Sequence, residues 1–116
     1  MNTENILKLA DAIEAGDSSP QGLGFDMSTF RDNCGTTACI AGWNMFLFEP
    51  KTWAKGHSSN SEYNKAGQEH LGIDLAQCDE LFLPLTELKY EDITPADAAT
   101  VLRNLAQTGR VEWPQD

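Results

Sequence analysis

CGTTACIAGWNMFLF, residues 34–48, is the stretch whose reading decides the fold. It holds Cys34 and Cys39 with a Gly-Thr-Thr turn signal between them, then an apolar run of mostly small residues up to Trp43. The pattern predicts a helix. Gly35 permits the turn, and Thr36 or Thr37 supplies a capping hydroxyl for the first free backbone N–H groups. Cys39, Ile40, Trp43, Phe46 and Leu47 then share one broad apolar face. Ala38, Ala41 and Gly42 keep the early turns thin enough for a neighbouring backbone to approach, while Trp43 fills volume. This is the most hydrophobic helix of the chain, so it belongs at the centre of the core.

The rest of the chain supplies elements to surround it. TENILKLADAIEAGD predicts a first helix, with Thr3 as cap and Ile6, Leu9, Ala10 and Ile13 at helical spacing. Gly16 suits the left-handed residue past its end. Residues 17–24 read as a loop, punctuated by Pro20, Gly22 and Gly24. In FDMSTF the alternation of Phe25 and Met27 suggests a short strand. EPKTWAKGHSSNS, residues 49–61, also reads as a loop, carrying Lys51, Lys55 and His57. SEYNKAGQEHLG predicts a helix capped by Ser61, with Tyr63, Ala66 and Leu71 inward and Gly72 as its stop. IDLAQCDELFLP predicts a short helix capped by Asp74, with Leu75, Cys78, Leu81 and Phe82 on one face. ITPADAATVLRNLAQTGRVEW carries the strongest local signals: Thr94 as cap, Pro95 at the first helical position and Asp97 in the positive first turn. Ala98, Val101, Leu102, Leu105 and Ala106 form its stripe, and Gly109 closes it. The tail RVEWP is extended and could pair with GFDM as a minimal two-stranded β ribbon. The expected fold is therefore mainly α, a single domain over residues 1–116 with about five helices.

Charge narrows the function classes. The net charge is −10, from 18 acids against 8 bases, which argues against direct nucleic-acid binding. Residues 1–30 carry five acids and one base, and residues 74–97 carry seven acids and one base. The stretches between and after them are neutral. No apolar run reaches the length of a membrane span. The N-terminus lacks a basic start with a long apolar run, so no secretory signal is expected. Together with an odd cysteine count this predicts reduced thiols in a cytoplasm.

Two kinds of site chemistry can be weighed against these residues. Cys34, Cys39, Cys78, His57 and His70 are numerous enough for zinc, but only one close cysteine pair exists and its spacing is at the edge of the usual range. Cys39 near a helix start is also a candidate nucleophile, yet no base is placed for it by any motif. The simpler reading takes Cys39 and Cys78 as small buried residues on apolar faces. Cys34, Gly35, Thr36, Cys39, Gly42 and Trp43 are then structural. Among the acids, Asp79 with Glu80, and Glu91 with Asp92, are sequence neighbours whose side chains diverge on a helix, while Glu87 and Glu91 have face-matched spacing between two prolines. They read as a solvated acidic face. No phosphate loop, dinucleotide fingerprint, serine elbow or His-Glu zinc motif is found, so no cofactor and no catalytic residue is expected.

Taken in order, FDM, CGTTACIAGW, LGIDLAQCDELF and TPADAATVLRNLAQTGRVEW resemble a group of small uncharacterised bacterial and phage proteins. These share a Cys-Gly-Thr-x-x-Cys-x-x-Gly-Trp/His block, a Leu-Gly-(Leu/Ile) block ending in Leu-Phe, and a helix with Thr-Gly and a late Trp. The resemblance spans residues 25–113 with a variable middle at 49–62. It implies a bacterial or phage cytosolic setting and carries over no catalytic residue. The functional expectation is a small acidic protein that binds another protein, through Asp79, Glu80, Glu87, Glu91 and Asp92, at a basic nucleic-acid-binding surface. A host-takeover or anti-defence role fits that setting. The alternative is an enzyme, or a small-ligand or metal-binding protein, built on Cys34 and Cys39.

Overall fold

The computed structural model describes residues 1–15, 24–25, 27, 37–56, 58–84 and 89–113. In chain order the elements are α1 (Thr3–Ala15), β1 (Gly24–Phe25), β2 (Thr37–Ala38), α2 (Ile40–Phe48), α3 (Pro50–Ala54), α4 (Asn60–Leu71), α5 (Leu75–Phe82), a single 3₁₀ turn (Tyr90–Asp92) and α6 (Pro95–Thr108). The mainly α class and the minimal strand content match the expectation.

Helix α2 is central. It packs against α4, α3, α1 and α5, and Ile40 through Met45 are all buried. Such all-round burial follows from a sequence with a single polar residue: no polar face exists to turn outward. Its one buried polar side chain is Asn44, whose amide has no hydrogen-bond partner among the described residues. The helix begins later than its turn residues suggest. Thr37 lies in β2, and Cys39 is the N-cap with no side-chain capping bond.

Helices α1 and α6 form the most extensive pair. Ile6, Leu9, Ala10 and Ile13 from α1 meet Ala98, Val101, Leu102 and Leu105 from α6 in the buried core. Outside the seam, Arg103 reaches across to Glu14 with two hydrogen bonds of 2.9 and 3.1 Å and to Asp11 with one of 3.0 Å. The planar guanidinium suits this forked contact.

Local capping chemistry explains three helix starts. Ser59 with Glu62, Asp74 with Gln77 and Thr94 with Asp97 form reciprocal capping boxes. The cap of α4 is thus Ser59, two residues before the expected Ser61, because only Ser59 has an acid three residues on. Asn2, not Thr3, caps α1 by accepting from the Asn5 N–H at 3.1 Å. Segment 50–54, expected as loop, is helical: Pro50 takes the first helical position and Trp53 is buried. Leu75 turns outward and is 51% exposed, so the inward face of α5 is Cys78, Leu81 and Phe82. Gly67 makes the α4–α5 contact close, since a Cβ there would lie 2.8 Å from the Phe82 ring and 3.1 Å from Cys78 Sγ.

The β ribbon exists with a different partner from the one expected. Gly24 and Phe25 pair in parallel with Thr37 and Ala38, not with the C-terminal tail. That tail is held elsewhere: Trp113 Nε1 donates to the Glu80 carbonyl at 2.8 Å, and Gln77 Nε2 donates to the Gly109 carbonyl at 3.2 Å. Val111 and Trp113 are half-buried against the core. Among the described residues no helix is long and apolar enough to cross a membrane.

Candidate functional site

The cysteine block is divided by the structure. Cys34, Gly35, Thr36 and His57 lie outside the described residues. Cys39, Gly42 and Trp43 are buried. Cys78 is buried on α5, where its thiol donates weakly to the Asn64 carbonyl at 3.6 Å. Burial, reinforced by the charges of Asp79 and Asp74, pushes the Cys78 thiol up to about 11. It is the opposite of an activated thiolate.

This shift has a consequence for stability. Because the ionisation is raised in the fold, the folded chain keeps a proton that the unfolded chain has already released. The contribution is whole below the unfolded value near 9 and is lost as pH rises towards about 11. Urea-unfolding midpoints should therefore fall over that window, and more steeply for the parent chain than for Cys78→Ala. Equal slopes for the two proteins would show that the thiol is not shielded in this way.

The acidic residues are distributed unevenly between partnered and unpartnered positions. On α1, Asp11 and Glu14 are held by Arg103, and Glu4 pairs with Lys8 at 3.5 Å. Hydrogen bonding to Arg103, and its charge, hold the Glu14 carboxyl below its ordinary value. Asp79 and Glu80 on α5, and Asp92 in the 3₁₀ turn, are exposed and form no ion pair among the described residues. Glu87 and the side chain of Glu91 lie outside the described residues.

A third group was not anticipated from the sequence. Glu49, at the junction of α2 and α3, meets Glu69 and His70 from the last turn of α4. One ligand atom from each lies within 4.8 Å of the other two. His70 Nε2 and Glu49 Oε2 are 3.0 Å apart. The His70 ring stacks on Phe48 with centroids 5.5 Å apart, and its carbonyl accepts from Asn5 Nδ2 at 2.8 Å. Beside the group is a cleft of about 160 Å³ lined by residues including Glu49, Thr52, Glu62, Lys65 and Glu69. Only His70 belongs to the ligand set considered from the sequence. Among the described residues, Cys39 and Cys78 join no such group.

No protein-family model, curated protein or solved structure matches this chain.

Proposed function

We propose that this chain is a small acidic interaction protein of bacterial or phage origin, acting in the cytoplasm on a protein partner with a basic surface. The observation that supports this reading is the contrast between the two acidic zones. The acids of α1 are largely occupied in holding α6 or paired along their own helix. Asp79, Glu80 and Asp92 are exposed without ion pairs among the described residues, so their field extends into solvent. Their charge can steer a basic surface into contact and compete with a polyanion for it. A nucleic-acid-binding protein of a host cell has such a surface, which gives a takeover or anti-defence role its physical basis.

The test is affinity capture from bacterial lysate with the parent chain and with a charge-reversed triple variant, Asp79→Lys, Glu80→Lys and Asp92→Lys. The expected result is a basic partner retained by the parent at low salt, released as ionic strength rises, and missed by the variant. Retention of the same partner by both proteins, or at high salt, would defeat the charge-based reading.

A further inference from the structure

We propose that Glu49, Glu69 and His70 form a binding site for a divalent transition ion of the zinc type, separate from the acidic face on α5. The imidazole distinguishes this group from a patch of surface acids. Zinc takes histidine nitrogen and carboxylate oxygen at about 2.0–2.2 Å, so two of its tetrahedral ligands stand about 3.3–3.6 Å apart. His70 Nε2 and Glu49 Oε2 stand 3.0 Å apart, so a separation of a few tenths of an ångström admits the ion in place of their hydrogen bond. The Glu69 carboxylate is within 4.8 Å of both. As its side chain is exposed, rotation about its own bonds can close the remaining gap.

The supporting contacts are those that orient metal ligands. Thr52 Oγ1 donates to Glu49 Oε1 at 3.3 Å and leaves Oε2 towards the histidine. Stacking on Phe48 sets the plane of the His70 ring. The Asn5 amide fixes the His70 backbone from a separate helix. Glu49 is the hinge residue between α2 and α3, with φ −134° and ψ 62°, so two helix ends converge on its position. Three carboxylates, from Glu49, Glu62 and Glu69, line the adjoining cleft against the single ammonium of Lys65. Lys65 pairs with Glu69 at 3.8 Å, but both side chains are well exposed and such a pair yields readily to a dication. Three protein ligands beside a cleft of about 160 Å³ leave space for water in the remaining coordination positions. Mixed nitrogen and oxygen donors favour zinc, cobalt or nickel over magnesium and calcium.

The test uses the full reduced chain with zinc chloride alone by calorimetry, and with cobalt(II) chloride alone by absorption spectroscopy. One ion per chain is expected. The cobalt spectrum should lack thiolate-to-metal charge transfer, and excess magnesium should not displace the ion. His70→Gln and Glu49→Gln should each weaken binding by about tenfold or more, while Cys34→Ser and His57→Gln leave it unchanged. Circular dichroism establishes that each variant is folded. If His70→Gln unfolds, Glu69→Gln decides, because that side chain is 53% exposed and can lose its charge without disturbing the core. A thiolate band, loss of binding in Cys34→Ser, or no binding up to millimolar metal would each overturn the proposal.

Discussion

Replacing Trp43 by alanine is expected to destabilise the chain by about 3–5 kcal/mol, the range for emptying a large buried aromatic site. That is a large share of the about 5–15 kcal/mol typical of a whole domain. The indole is 1% exposed and connects α2 to β1 directly and to α3 through Phe46. Its Nε1 donates to the Gly24 carbonyl at 2.9 Å, tying α2 to β1. Its ring meets Phe46 edge-to-face at 5.7 Å, and Phe46 meets Trp53 of α3 in the same manner and at the same distance. The quantity to measure is the urea-unfolding free energy followed by circular dichroism, which is independent of tryptophan emission. Trp43→Phe separates the contributions: it keeps most of the ring volume and loses the hydrogen bond to Gly24. Losing this part-buried hydrogen bond costs about 0.5–1.5 kcal/mol, so the phenylalanine variant should fall between the parent and the alanine variant. A cost under about 1 kcal/mol for Trp43→Ala would contradict the central placement of α2.

That placement was legible in the sequence because an apolar run with no polar face has only one stable location. The starts of α5 and α6 were legible for another reason. Asp74 with Gln77, and Thr94 with Pro95 and Asp97, are complete caps within four residues. What escaped depends on residues far apart in the chain. Thr37 looks like a cap, but pairing with Gly24 draws it into a strand and moves the helix start to Ile40. Pro50 looks like a loop breaker, yet burial of Trp53 makes it the first residue of a helix. Asn44 carries no local sign that its amide would be enclosed without a partner among the described residues. The Glu49–His70 contact spans 21 residues across a stretch read as loop. The only sequence signal there was the adjacent Glu69-His70 pair at a helix end, and its significance depends on the α2–α3 junction that faces it.

Gly72→Ala is expected to cost about 2–5 kcal/mol, for two separable reasons. The first is conformational: Gly72 ends α4 at φ 66° and ψ 34°, where a Cβ costs about 1–2 kcal/mol. The second is packing. A Cβ at this position would lie 2.8 Å from the Asn2 nitrogen and 3.1 Å from the Met1 Cα. These are backbone atoms, so no side-chain rotation relieves the contact, and overpacking of this kind costs about 1–3 kcal/mol. The chain could yield only by lifting residues 1–2 away from α4. That would break the Asn2 N–H bond to the Leu71 carbonyl, now 2.8 Å, and loosen the Asn5 amide from the His70 carbonyl. Gly109 provides the control. It ends α6 with φ 77°, but a Cβ there meets nothing within 4 Å. Gly109→Ala therefore carries the conformational cost alone. The difference between the two variants in urea unfolding measures how tightly the start of α1 seats on the end of α4, and it should be at least about 1 kcal/mol. Equal costs would mean that the α1 start does not rest on Gly72. Because the Asn5 amide that holds the His70 carbonyl belongs to the same end of α1, that outcome would also weaken one of the supports for the histidine at the proposed metal site.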